Sequence, residues 1–83
     1  MSEAEFNQAA EEVKQLPAKP STNDLLELYA LFKQATIGDC NMACPGVFDL
    51  KGKAKWQTWN SKKGLSQEDA RKQYIAKVAA LKG

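Results

Sequence analysis

Eighty-three residues, 43% hydrophobic and 27% charged, suffice for a single domain over residues 1–83, near the lower size at which a core sustains a fold unaided. Histidine is absent, which removes the usual general base, the Ser–His and Cys–His nucleophile arrangements and the commonest metal ligand. The net charge of +2 conceals an asymmetry: residues 1–50 hold three lysines against eight acids, and residues 51–83 hold nine Lys and Arg against two acids.

The first predicted element opens on Ser2-x-x-Glu5, the spacing of a capping box in which hydroxyl and carboxylate satisfy early helix amides reciprocally. Phe6, Ala9, Ala10, Val13 and Leu16 follow at helical spacing, and Pro17 with Pro20 closes the segment. Ser21-Thr22-Asn23-Asp24 starts a second helix, with Asp24 favourable at the positive end of the macrodipole. Leu25, Leu28, Tyr29 and Phe32 form one stripe of this helix. Leu26, Ala30 and Ile37 form another, so it is expected to contact neighbours on two sides before Gly38 stops it.

A loop from Asp39 to Phe48 is punctuated by Pro45-Gly46. Asp49 caps a third helix carrying Trp56 and Trp59, three residues apart and expected in the core, with Gly64 as its stop. Ser66-x-x-Asp69 caps a fourth, whose stripe is Ala70, Tyr74, Val78 and Leu81. The prediction is all-α, with helices near residues 3–15, 22–37, 50–62 and 66–82. Packed together, the acidic and basic halves would largely neutralise one another, and that expectation outweighs a nucleic-acid surface on residues 51–63.

Cys40 and Cys44 form a lone C-x3-C, two ligands short of a structural zinc site, and no metal is expected. The beginning Met-Ser-Glu-Ala-Glu is acidic where a secretory signal is basic and then apolar, and no run of about 18 apolar residues exists to cross a membrane. Reduced thiols and a cytoplasmic location are the expectation.

The chemistry concentrates between Tyr29 and Trp56. Tyr29 and Lys33 lie four apart with Phe32 beside them, and Lys51 and Lys55 repeat that spacing. Rings stack on a flat base, ammonium groups bind phosphates, and the remaining apolar residues can line a site for a hydrocarbon tail. Lys53 falls on another face and is expected in solvent, while Lys62 and Lys63 suit a helix C-terminus.

Read together, Phe6 with Ala9-Ala10-Glu11-Glu12-Val13-Lys14, the Tyr29–Asp39 block, Pro45-Gly46, Lys51–Trp56 with Trp59-Asn60, and Glu68-Asp69-Ala70 before Tyr74-Ile75 resemble the acyl-CoA-binding protein family over nearly the whole chain. The resemblance implies a skewed up-down-down-up four-helix bundle that binds medium- and long-chain acyl-CoA thioesters such as palmitoyl-CoA. It implies no cofactor and no catalysis, and a monomeric carrier and pool former. Such a carrier transiently meets acyl-CoA-using enzymes and membrane surfaces and does not bind nucleic acid. The family's binding positions fall here on Lys14, Tyr29, Ala30, Leu31, Phe32, Lys33, Lys51, Lys55 and Tyr74. Phe6, Ala9, Ala10, Leu25 and Leu28 match positions near the acyl chain. Phe32 stands where many members have tyrosine, and the two loop cysteines are atypical. A nucleic-acid module, a small enzyme and a secreted signalling peptide are the rival readings.

Overall fold

The computed structural model describes residues 3–82. Four helices, α1 (Glu3–Val13), α2 (Thr22–Thr36), α3 (Leu50–Asn60) and α4 (Gln67–Lys82), follow one another with no strand among the described residues. Each start that can be inspected has its cap. Ser21 Oγ accepts from the Asp24 amide at 3.2 Å, Asp49 Oδ1 from Gly52 at 2.9 Å, and Ser66 Oγ from Asp69 at 3.0 Å. The Asp49 carboxylate sits close against Gly52: a Cβ there would lie 2.3 Å from Asp49 Oδ2, so a larger residue would shift the cap. Ser2 of the expected capping box lies outside the described residues.

Two helices end earlier than periodicity suggests. α1 stops at Val13 because Lys14 and Gln15 turn their amides to Glu11 and Glu12, three residues back, tightening the last turn ahead of Pro17. α3 stops at Asn60, and Lys62, Lys63 and Leu65 likewise bond three residues back before Gly64 adopts φ +92°. Thr58 and Ser61 hydroxyls compete for helix carbonyls there, donating to Ala54 and Thr58. Gly38 ends α2 as expected: Ile37 is the last αR residue, and Gly38 follows at φ +104°, a conformation costly to any residue with a Cβ.

The order of contacts along the helices fixes the topology. Phe6 meets Tyr74 and Glu12 meets Lys82, so α1 and α4 run parallel. Asp24 pairs with Lys77 and Thr36 accepts from Gln67, so α2 and α4 are antiparallel. Lys55 lies over Tyr29 and Lys33 over Trp59, so α2 and α3 run the same way. This is the up-down-down-up arrangement. α2 packs against both α3 and α4, which accounts for its two apolar strips, and α1 packs against α4.

The main core joins Phe6 and Ala9 of α1, Leu28, Leu31 and Ala35 of α2, and Ala70, Tyr74 and Val78 of α4. Gln34, also fully buried, donates through Nε2 to Asp39 Oδ1 at 2.8 Å and to the Leu65 carbonyl at 2.7 Å, tying the end of α2 to the approach to α4. Among the described residues, three ion pairs cross from the basic half of the chain to the acidic half: Lys62 with Glu27, Lys77 with Asp24 at 2.6 Å, and Lys82 with Glu12 at 2.8 Å. Lys62 therefore acts across the bundle and not only on its own helix end.

Candidate functional site

The site lies along the side of α2 that faces α3. Because the two helices run parallel, residues four apart on each meet in step, and Tyr29 ends up flanked by two cations. Lys33 Nζ is 5.7 Å and Lys55 Nζ 5.3 Å from its ring centre. Lys33 Nζ also lies 5.8 Å from the Trp59 ring. Among the described residues neither lysine enters an ion pair, nor does Lys51; Lys33 and Lys55 lie against aromatic faces, and all three charges are left available for an anion.

Two depressions meet at Lys55. One, of about 160 Å³, is lined by Tyr29, Met42, Pro45, Asp49, Gly52, Lys55, Trp56 and Trp59. The other, of about 370 Å³ and mainly apolar, is bounded by Thr22, Leu25, Leu26, Lys51, Ala54 and Lys55. A cation-rimmed aromatic cleft running into a greasy groove can take a ligand that is anionic at one end and hydrocarbon at the other.

Phe32 occupies a different place from Tyr29. Its ring stacks on Phe6 with centres 5.5 Å apart and tilts against Tyr74 at 5.9 Å, while 38% of the residue stays exposed. Tyr74 is buried, and that burial raises its phenol above the ordinary value of 10.0. An exposed ring face on a buried aromatic platform is suited to stacking.

The expected site residues are thus brought together only in part. Tyr29, Lys33 and Lys55 converge, with Lys51 and Leu25 on the adjoining groove and Phe32 with Tyr74 on the aromatic platform. Ala30 and Leu31 are fully buried and present no side chain to solvent. Phe6, Ala9 and Leu28 are core residues, with Ala10 packed at their margin. Lys14 lies just past α1 on the surface, 3.8 Å from Glu11.

Two further expectations are corrected. Trp59 is a core residue, but Trp56 is only half-buried, and its Nε1 donates to the Met42 carbonyl at 2.7 Å, so it fastens the loop. Lys53 is half-buried and not freely solvated. Thr22, Leu26 and Ala54 of the groove were not among the sequence candidates. Leu26 was visible as part of a second apolar strip, but only the pairing of α2 with α3 shows what that strip borders. Both cysteines are free thiols, and no group of His, Cys, Asp or Glu among the described residues could hold a metal ion.

Fold and site together define a small helical bundle with an open cationic and apolar cleft. Residues 3–78 match the family model described as "Acyl CoA binding protein". The chain is 62% identical over 78 residues to an acyl-CoA-binding protein homolog of Manduca sexta, covering 93% of this chain and 87% of that one. It superposes on the crystal structure of Oryza sativa acyl-CoA-binding protein 2 with a TM-score of 0.91 at 44% identity, covering 95% of this chain and 88% of that one. The crystal structure of the Moniliophthora perniciosa protein gives 0.92 at 44% identity, covering 98% and 80%. The chain belongs to the acyl-CoA-binding protein family.

Proposed function

We propose that this chain binds medium- and long-chain acyl-CoA thioesters with high affinity and serves as a cytoplasmic, monomeric carrier and pool former that performs no chemistry. It would exchange its ligand with acyl-CoA-using enzymes and membrane surfaces. The observation that carries the reading is the Tyr29–Lys33–Lys55 cluster, two unpaired ammonium groups against one ring, at the head of a groove lined by Leu25, Leu26 and Ala54.

In this reading Lys33 and Lys55 hold the phosphate-bearing part of the head group, with Tyr29 between them and Lys51 and Lys14 at longer range. Phe32 offers its free face to the adenine, backed by Phe6 and Tyr74. The tail follows the groove past Leu25. Leu28, Phe6, Ala9 and Ala10 form the wall behind, and buried Ala30 and Leu31 keep Tyr29, Phe32 and Lys33 in place. Burying hydrocarbon is favourable by about 0.8 kcal/mol per methylene, so a long tail could gross roughly 10 kcal/mol before ordering costs. The tail therefore dominates affinity, and the cations and rings select CoA.

Isothermal titration with acyl-CoAs of graded length, free CoA and free palmitate tests the reading. Affinity should climb with tail length by at most about 0.8 kcal/mol per methylene, with free CoA and free palmitate both weak. Equal binding of palmitate and palmitoyl-CoA would remove the role assigned to the lysines and rings.

A further inference from the structure

Cys40 and Cys44 belong neither to the core nor to the lining of either depression, yet the residues between and beside them do border one. Met42 lies midway between the two cysteines and Pro45 directly follows the second. Both line the depression that holds Tyr29, Lys55 and Trp56. The two thiols are free, Cys44 exposed and Cys40 half-buried. Cys40 Sγ donates weakly to the Met42 carbonyl at 3.9 Å, the same oxygen that accepts from Trp56 Nε1 at 2.7 Å.

This stretch can close on itself. A disulfide needs its Cα atoms about 4.4–6.8 Å apart, whereas the same length of extended chain spans roughly 13 Å. Here the chain already bends at Met42, and among the described residues no backbone-to-backbone hydrogen bond involves residues 40–45. The Trp56 indole fastens the middle of the bend and not its two ends. An accessible thiol with a second thiol nearby is the arrangement in which one cysteine takes up an oxidant and the other resolves it.

We propose that Cys40 and Cys44 form a reversible disulfide site that acts on the ligand cleft. The co-reactant is a low-molecular-weight disulfide such as oxidised glutathione. Exposed Cys44 attacks one of its sulfurs as the thiolate, forming a mixed disulfide and releasing one thiol. Cys40 then attacks Cys44 Sγ, which closes the Cys40–Cys44 bond and expels the second thiol. The cysteines together lose two protons and two electrons, and the oxidant gains them in becoming two thiols.

Closure sharpens the bend at Met42 and draws Cys44 toward Cys40, and Pro45, its φ fixed by the ring, follows. Two wall residues of the Tyr29–Lys55 depression thereby shift, and the oxidised form holds ligand less well. That effect rests on the carrier reading, whereas the disulfide can be detected without any acyl-CoA.

The test is incubation of the whole chain with oxidised glutathione, followed by non-reducing mass spectrometry and titration with palmitoyl-CoA. The wild type should end as a monomer lighter by two hydrogens, with no glutathione retained, and dithiothreitol should reverse the change. Cys40→Ser should stop at the glutathione adduct on Cys44. Cys44→Ser should react at least about tenfold more slowly, because its remaining thiol is half-buried. Palmitoyl-CoA affinity of the oxidised wild type should fall by about fivefold or more, the lower end of ordinary couplings between sites. The variant carrying both serines should bind like the reduced wild type, with or without oxidised glutathione.

A wild type that retains glutathione, or that crosslinks to a second copy instead of closing, would overturn the proposal. So would a closed disulfide with unchanged palmitoyl-CoA affinity, since the site would then not act on the cleft. A reduced protein that fails to bind palmitoyl-CoA would remove the carrier reading and with it the effect on the cleft, and the mass measurement would still decide the disulfide.

Discussion

α2 has two neighbours and treats them differently. Toward α4, Leu28, Leu31 and Ala35 close on Ala70, Tyr74 and Val78, and almost nothing on that seam is left to solvent. α3 supplies a single buried residue, Trp59. Its attachment is by particular bonds: Trp59 Nε1 to the Gly38 carbonyl at 2.9 Å, and Lys62 to Glu27. The full seam stabilises the bundle, and the sparse seam leaves apolar and cationic side chains uncovered, which is the condition for binding a ligand there.

The largest expected effect tests that division directly. Trp59→Ala removes the only buried α3 side chain and its hydrogen bond, and should lower unfolding stability by about 3–5 kcal/mol. Leu25→Ala, on the open groove at 40% exposure, should cost far less stability while weakening long-chain ligands. Urea denaturation of both variants measures the contrast. Similar losses from the two would mean that the α3 seam is packed like the α4 seam.

Lys33→Ala or Lys55→Ala should weaken palmitoyl-CoA binding by about 1.5–3 kcal/mol, the range for a charge-assisted hydrogen bond, with little change in stability. Lys53→Ala is the control, since Lys53, unlike Lys33 and Lys55, does not lie over the Tyr29 ring and borders neither depression. Calorimetric titration of the three variants sharpens the comparison. Equal losses would show a diffuse field and not a cluster around Tyr29.

Phe32 sits where the two regions meet, one face on the Phe6–Tyr74 platform and the rest exposed. Phe32→Ala should therefore cost on both counts: about 0.5–1.5 kcal/mol of stability from lost ring contacts and about 1–3 kcal/mol of affinity from lost stacking. Phe32→Tyr keeps the ring and should be mild in both. A sharp fall in melting temperature with affinity of the folded fraction intact would make Phe32 purely a core residue.

Much of this was legible in the sequence because the signals are local. Caps at Ser21, Asp49 and Ser66 and the stop at Gly38 depend on residues within a few positions of each other, and so does the α4 stripe. The two tryptophans show where local reading ends. They share a helix face by spacing, yet Trp59 reaches the core and Trp56 reaches only the Met42 carbonyl, because the loop passes over one end of α3. The groove was hidden for the same reason: Leu25 and Ala54 are far apart in sequence and border one space only because α2 and α3 run parallel. Gln34 gave no periodic signal at all, since a buried amide is determined by its partners, Asp39 and Leu65.

The smallest expected effect concerns the fastenings at the ends of α2. The Gly64 amide, and then the Gln34 side chain, bond to the Asp39 carboxylate and lower its pKa below the ordinary 3.8. At the other end, the hydrogen bond from Lys77 does the same for Asp24. A carboxylate that is more acidic when folded binds fewer protons in the native state than in the unfolded chain. Its stabilising effect is therefore complete above the ordinary value of 3.8 and is lost as pH falls through the lower folded value. Both groups are solvent-accessible, so the effect should be small and weakened by salt. In Asp39→Asn the amide oxygen can still accept from Gly64, but the charge is gone at every pH. Melting temperature followed from neutral to acidic pH should show wild type above the variant near neutrality, with the curves converging below pH 3.8. A constant gap across that range would mean that Asp39 acts through shape and hydrogen bonding alone, with its charge irrelevant to how α2 is tied down.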